Sequence, residues 1–411
     1  MFVSSTSTSA AVLTRRLRAR LTTPRSVLVV ALPVLALVLT WLLVRMHGYH
    51  IDLEVYRLGV QTWLAGGDMY GSLPPTISGL ALPFIYPPFA AMVLTPLVLL
   101  PWTPSWIALF VLSLASLAVT LYVVAARSWP AGGRAGALAV TGAALPAALL
   151  LEPVRQTFEF GQINLVLMAL VALDCLVARP RWPRGLLVGI AAAIKLTPAV
   201  FVLYFLLRRD LRSAVVAVVT GAAATGLGFL VDPAASARYW LGGPASGISG
   251  SVFYTNETIE AVLARMGLTG AALTTGWLVV AAVLLVLAIP VGRIADAPLA
   301  LVTVAGLGLL VSPTSWSHHW VWIAPALVVT AGHALRHRSP GWTAATGVLL
   351  VAFYLAPFQF LPHDNERELA WSGFQQVVGA TYVIVAVALL VAAGWRHRPW
   401  AAREDRAPVP R

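Results

Sequence analysis

The sequence predicts an all-α integral membrane protein built as a polytopic helical bundle, and three observations carry that reading. Hydrophobic residues make up 59% of the 411 and charged residues only 11%, against about 25% charged in soluble domains. Apolar runs of spanning length recur from end to end. The cations gather at the termini and in short loops between those runs. With so little polar surface, lipid must be the solvent for much of the chain.

A helix needs about 20 apolar residues to cross the hydrocarbon core. The cleanest runs are Val27–Val44, Ile107–Ala126, Leu211–Val231, Trp277–Val291, Val348–Phe360 and Val377–Ala393. Allowing loops, the chain has room for roughly ten to twelve segments and for no separate soluble domain. The expected division is a cytoplasmic tail over 1–26, a polytopic region over 27–394 and a basic cytoplasmic tail over 395–411. The first tail is Ser/Thr-rich, then Arg-rich, and the run after it has no A-x-A-like end, so it reads as preceding a retained span.

A net charge of +12 suggests nucleic acid until the positions are read. Arg15, Arg16, Arg18, Arg20 and Arg25 precede the first run, and Arg396, Arg398, Arg403, Arg406 and Arg411 follow the last. Arg208, Arg209 and Arg212, then Arg336 and Arg338, occupy short loops. The positive-inside bias produces this distribution and puts both termini in the cytoplasm. A nucleic-acid surface would set stacking or base-reading residues among the charges, and these loops have none. The single cysteine, Cys175, lies inside an apolar run as a small core residue, which excludes an intrachain disulfide.

With the amino terminus inside, the first span delivers His47–Pro83 to the outer face as a large first outer loop. It carries His50, Asp52, Glu54 and Asp68, with turn signals at Gly66-Gly67 and Pro74-Pro75. The amphipathic stretch from Asp52 to Leu64 predicts a short interfacial helix. The polar segments Asp232–Arg265 and Leu361–Ser372 are long enough to be outer loops with surface helices of their own. Taking every apolar segment as a simple crossing puts Arg179, Arg181 and Arg184 outside, against the charge bias. Reading Leu186–Leu207 as a re-entrant pair broken at Lys195-Leu196-Thr197-Pro198 repairs the region after it, since Pro198 removes a backbone bond and clashes with the preceding turn. A second adjustment is then needed between Trp102 and Glu152.

Several polar islands interrupt the apolar background: His50/Asp52/Glu54, Glu152/Arg155/Glu159, Gln162/Asn164, Lys195/Thr197 and Ser317/His318/His319. Any one reads as a packing pair or a snorkelling side chain. Together they are costly, roughly 2.5–3.5 kcal/mol per charge at mid-membrane on insertion scales, so they are expected to line one polar cavity. Such a cavity has acids to serve as a base, cations to hold an anion and aromatics to face a sugar ring. Trp316, Trp320 and Trp322 surround the histidines, and Trp322, Trp102 and Trp106 also fit an interfacial belt. Adjacent histidines without an H-E-x-x-H spacing argue for hydrogen bonding to a phosphate rather than metal ligation. No P-loop, dinucleotide fingerprint or G-x-S-x-G is present, so nucleotide and serine chemistry have no support.

As an ordered set, these islands resemble glycosyltransferase family 87. The matching residues are Asp52-Leu53-x-Val55-Tyr56, Tyr86-Pro87-Pro88-Phe89-Ala90-Ala91, Glu152-Pro153-x-Arg155, Gly161-Gln162-Ile163-Asn164, Lys195-Leu196-Thr197-Pro198 and Ser312-Pro313-x-Ser315-Trp316-x-His318-His319-Trp320. The resemblance runs from about residue 50 to residue 322. It implies a GT-C-type membrane enzyme with its site on the outer face of the plasma membrane and no cofactor. It further implies a β-mannosyl phosphoryl polyprenol donor, a glycolipid or lipoglycan acceptor, and inversion to an α-1,2 linkage. Asp52 is then the base. Glu54, Tyr56, Tyr86, Arg155, Gln162, Asn164, Lys195, Asn256, His318 and His319 are the expected substrate-binding residues, with Arg155, Lys195 and a histidine on the lipid phosphate. Glu257 departs from the Asn-Gln-Ser-like pattern of the family's second large outer loop, which bears on acceptor contacts. The competing reading is a transporter or flippase of a lipid-linked sugar, since polar groups within spans also mark substrate paths. It calls for repeat symmetry between halves, and no convincing repeat is found.

Overall fold

A computed structural model describes residues 23–46, 50–242 and 251–397. Among these residues all regular structure is helical, and an isolated antiparallel bridge joins Asn256 to Trp316. Most of the two expected tails lies outside the described residues, as do positions 47–49 at the start of the first outer loop.

Six helices are long and apolar enough to cross a membrane: Pro24–Arg45, Trp102–Ser128, Pro130–Leu150, Leu211–Val231, Gly270–Ile294 and Pro340–Phe360. Two pairs qualify only together. Glu152–Phe160 and Asn164–Leu176 meet at 120°, and Gly373–Gly379 and Thr381–Arg396 at 70°. Eight is therefore the upper count among the described residues, below the ten to twelve expected from hydropathy. Three further apolar helices, Pro88–Leu99, Thr197–Leu207 and Ala297–Val311, fall short of the roughly 20 residues a crossing needs. Polar islands and prolines split runs that a hydropathy window counts whole.

The outer surface confirms lipid as solvent. Val29, Val30 and Leu37 on Pro24–Arg45 are 70%, 62% and 71% exposed, and Val215, Val218 and Val219 stand open on Leu211–Val231. In water such continuous apolar faces would mark an aggregation or docking surface; against acyl chains they are the solvated side.

The break expected at Lys195 appears. Helix Leu186–Ile194 stops where Lys195 turns extended (φ −147°, ψ 131°), and Pro198 sits in the 3-10 turn Thr197–Val200 that leads into Phe201–Leu207. Arg184 and Arg208, at the two feet, line the same cavity, so the chain enters and returns with Lys195 at its tip. Close packing holds this hairpin. A Cβ on Gly189 would lie 2.5 Å from the Ala217 carbonyl oxygen and 2.6 Å from the Thr220 Cβ on Leu211–Val231, the small-residue contact typical of helices in membranes. A second break falls at Gly161, just beyond the Trp102–Glu152 stretch where the charge bias asked for one. Its φ of +67° caps Glu152–Phe160 in the left-handed conformation and sets the 120° bend.

The first outer loop contains the expected short helix, Ile51–Leu64, which buries Leu53, Val55, Tyr56 and Val60. The second holds Pro233–Gly242 and Ile259–Arg265, and the last a 3-10 turn at Arg367–Ala370. The first two loops are tied together by Trp63 Nε1 donating to Asp232 Oδ2 at 3.0 Å and by an ion pair between Arg238 and Asp68.

Because Gly189 meets backbone, Gly189→Val is expected to destabilise the protein by about 1–3 kcal/mol through overpacking and to move Lys195. Thermal unfolding in detergent should show a lowered midpoint for it, while Gly347→Ala, which meets nothing within 4 Å, leaves the midpoint near that of the parent.

Candidate active site

Asp52 lies on the first turn of Ile51–Leu64 and faces Lys195 and Gln162. Gly161 makes that approach possible, since a Cβ there would sit 2.9 Å from the Leu53 Cβ and 3.1 Å from the His50 Cβ. His50 adds a clamp: its Nδ1 lies 2.8 Å from the Glu159 carbonyl, and its ring stacks on Trp106 at 5.1 Å and Trp102 at 6.3 Å. The two tryptophans read as belt residues thus also hold the start of the Asp52 helix.

Gln162 is oriented by three donors to its Oε1: the Tyr56 hydroxyl at 2.6 Å, the Tyr86 hydroxyl at 3.3 Å and the Ile163 amide at 3.0 Å. With the oxygen so occupied, the amide NH2 is left to donate to Asp52. The Tyr56 and Tyr86 hydroxyls are 3.0 Å apart, and Tyr70 donates to the Tyr86 carbonyl at 2.8 Å. Burial pushes the Asp52 carboxyl above the usual carboxylate range, and the Lys195 charge and the Gln162 hydrogen bond only partly offset it.

Lys195 Nζ donates to Asn164 Oδ1 at 2.9 Å, lies 3.1 Å from His319 Nε2 and sits over the Tyr86 ring at 5.6 Å. An ammonium only donates, so His319 Nε2 accepts and the ring proton resides on Nδ1. That Nδ1 is buried and has no partner among the described residues. Asn164 Nδ2 and the Thr157 hydroxyl both donate to the His318 carbonyl, at 3.0 and 3.1 Å, fixing the turn Ser317–Trp322. The His318 ring packs edge-on to Phe160 and His319. Asp52 and Lys195 keep part of their surface open, whereas Tyr56, Tyr86, Gln162 and Asn164 behind them are buried. A cavity of about 260 Å³ starts at Asn164 and His319 and continues between Leu167, Met168, Phe201 and Leu309. The cluster thus offers a base, a cation, an oriented N–H and an apolar channel.

The expected residues Asp52, Tyr56, Tyr86, Gln162, Asn164, Lys195, His318 and His319 come together. The other three are engaged elsewhere. Glu54 accepts from the Ile77 amide at 2.8 Å through Oε1, pinning the first outer loop, although its Oε2 is buried without a partner among the described residues. Arg155 pairs with Glu159 at 3.7 Å on its own helix. Asn256 is fully enclosed, its amide donating to the Ser251 carbonyl at 2.8 Å and accepting from the Ser315 amide at 3.0 Å, so it joins two loops. Glu257 is also sealed, facing Arg265 and the start of Thr381–Arg396; burial pushes its carboxyl up against the pull of Arg265. It shapes packing beneath the outer loop and presents nothing to an open surface. Trp320 is buried against Phe353 and Tyr382 rather than facing a sugar site.

Sequence reasoning missed Thr157 and the partners of Glu152. Tyr382 donates to Glu152 Oε2 at 2.7 Å and Gln359 to Oε1 at 2.8 Å. Glu152 starts the helix that carries Thr157, so the last span is tied to the histidine turn through it. The scarcity of acids marked Glu152 as needing partners, but nothing local pointed to Tyr382.

The Glycosyltransferase family 87 model matches residues 84–313. A polyprenol-phosphate-mannose-dependent alpha-(1-2)-phosphatidylinositol mannoside mannosyltransferase of Mycolicibacterium smegmatis is 41% identical over 379 residues, spanning 86% of each chain. The protein of the same description from Mycobacterium tuberculosis is 39% identical over 376 residues, again 86% of each. A Mycobacterium tuberculosis phosphatidylinositol pentamannoside mannosyltransferase is 33% identical, over 87% of this chain and 83% of its own. The crystal structure of ArnT from Cupriavidus metallidurans bound to undecaprenyl phosphate overlaps 91% of this chain and 79% of its own, at 18% identity and a TM-score of 0.41. The family match covers more than half of the chain and takes in the motifs from Tyr86 to Lys195: the protein belongs to glycosyltransferase family 87.

Proposed function

We propose that the chain transfers a mannosyl residue from polyprenyl-phosphate-mannose to a mannosylated phosphatidylinositol or related lipid-anchored glycan, forming an α-1,2 linkage at the outer face of the plasma membrane. The observation that carries this reading is the pairing of Asp52 with Lys195, whose ammonium is held by Asn164 and His319 at the start of an apolar channel. The relatives are named for the same donor and linkage.

In this reading the acceptor hydroxyl attacks the anomeric carbon from the face opposite the phosphate. Asp52 takes the hydroxyl proton as the new C–O bond forms. The bond from the anomeric carbon to the phosphate oxygen breaks, and polyprenyl phosphate leaves with the electron pair. Attack from the opposite face converts a β donor into an α product. Lys195 supplies a fixed positive charge to the leaving phosphate, and the His319 Nδ1–H, without an acceptor among the described residues, donates to one of its oxygens. Tyr56, Tyr86 and Gln162 orient the base, and Asn164 orients Lys195. The first isoprene units lie in the channel between Leu167, Met168 and Phe201.

Charge placement supports the outward-facing reading. Arg127, Arg208, Arg209, Arg293 and Arg336 lie at or just beyond the ends of Trp102–Ser128, Phe201–Leu207, Gly270–Ile294 and Ile323–His337. Arg127 and Arg208 lie by the end of Asn164–Leu176 that is far from the Asp52 cluster, the placement the positive-inside bias asks of an outward-facing site.

Asp52→Asn is expected to reduce transfer by about 10²–10⁴-fold in membranes supplied with polyprenyl-phosphate-mannose, with an unchanged unfolding midpoint; full activity in that variant would remove Asp52 as the base. The base works ionised, so transfer falls as pH drops through the Asp52 pKa, and burial places that acid limb above the range of an exposed aspartate. Gln162→Leu removes a hydrogen bond to the carboxylate and should move the limb further up in a pH–rate profile. For sidedness, a membrane-impermeant maleimide should label Ile77→Cys in intact cells and Arg338→Cys only after permeabilisation, in a Cys175→Ser background.

A further inference from the structure

A second polar cavity, of about 420 Å³, opens at the membrane face opposite Asp52. Helix Asn164–Leu176 starts at the candidate active site and ends at this cavity, a distance of about 20 Å at a rise of about 1.5 Å per residue. Arg127, Arg184 and Arg208 line it together with Tyr204, and all three charges act on the Tyr204 hydroxyl. Asp210 is the acid in its wall, and the Ser213 amide and hydroxyl already occupy it at 3.1 and 2.6 Å.

The arginines differ in how far the fold uses them. Arg184 donates to the carbonyls of Asp174 and Val177, both at 2.6 Å, and of Cys175 and Ala178 at 3.2 and 3.5 Å, answering the partial negative charge at the end of Asn164–Leu176. Arg208 does the same for Gly270–Ile294 through the Ala295 carbonyl at 2.8 Å. A guanidinium has five N–H donors, so Arg208 keeps its Nε and second terminal nitrogen in hand, while Arg184 is largely spent on the helix end. Arg127 is exposed and makes no hydrogen bond or ion pair among the described residues. The cavity therefore holds surplus positive charge in fork-shaped donors, beside a hydroxyl, at a bilayer surface. Phosphate oxygens match that donor geometry, and basic pockets between helix ends on the inner face are where lipid phosphates are held.

We propose that this cavity binds the phosphate group of an anionic phospholipid on the face opposite the transfer site, with Arg127 as the residue that confers the preference. The cavity and its charges owe nothing to the sugar chemistry, so lipid binding here stands or falls apart from the proposed reaction. The test uses the full chain in detergent, with lipid retention read by native mass spectrometry after adding phosphatidylglycerol or phosphatidylcholine. The parent should retain phosphatidylglycerol in preference, and Arg127→Gln should weaken that retention about fivefold, as expected for one guanidinium at an anionic surface. Arg127→Lys should keep most of it, and transfer by the Asp52 site should be unchanged in both variants. Added inorganic phosphate separates the sources. Displacement of the lipid assigns recognition to the phosphate group alone, and resistance assigns it to the phosphate with its acyl chains. Equal retention of the two lipids by the parent, or equal phosphatidylglycerol retention by parent and Arg127→Gln, overturns the proposal.

Discussion

Asp52 and Lys195 are opposite charges set against each other in a chain that is otherwise built to dissolve in lipid. Either alone at that depth would cost several kcal/mol. Each is therefore held by neutral hydrogen-bonding groups that are themselves buried. Gln162 presents its amide to Asp52 because two tyrosines and a backbone N–H occupy its oxygen. Asn164 accepts from Lys195 while its own amide grips the histidine turn. Two broken helices, one at Gly161 and one at Lys195, bring these groups to one place. Irregular backbone of this kind survives in a membrane only where protein or a polar cavity surrounds it.

A deeper layer keeps the histidine turn in register. Thr157 and Asn164 converge on the His318 carbonyl from two sides of the 120° bend. Glu152, at the start of the same helix, is gripped by Gln359 and Tyr382 from the carboxy-terminal region. Asn256 joins the second outer loop to the segment just before the turn. These are positioning contacts. They are far apart in sequence because a membrane bundle satisfies a buried carboxylate with whichever span passes beside it.

Much of this is legible in the residues themselves. Composition names the solvent, and Pro198 beside Lys195 marks the broken hairpin, because a proline and a charge cannot both continue an apolar helix. The convergence of the islands follows from their cost, and the structure gathers eight of the eleven expected site residues. Glu54, Arg155 and Asn256 stand out by residue type and motif, which do not reveal that Ile77, Glu159, and Ser251 with Ser315 engage them. The span count fails for a related reason: hydropathy registers apolar length, while Gly161 and Lys195 act on backbone direction.

The proposed reaction sets Asp52 and the Lys195–His319 pair on opposite sides of the transferred sugar. Cryo-electron microscopy of the protein with a non-transferable polyprenyl-phosphate-mannose analogue tests that arrangement most directly. The expected result is phosphate oxygens within about 3 Å of Lys195 Nζ and His319 Nδ1, the lipid in the channel past Leu167 and Phe201, and Asp52 beside the anomeric carbon on the face away from the phosphate. A phosphate bound away from Lys195, with Asp52 remote from the sugar, would contradict it.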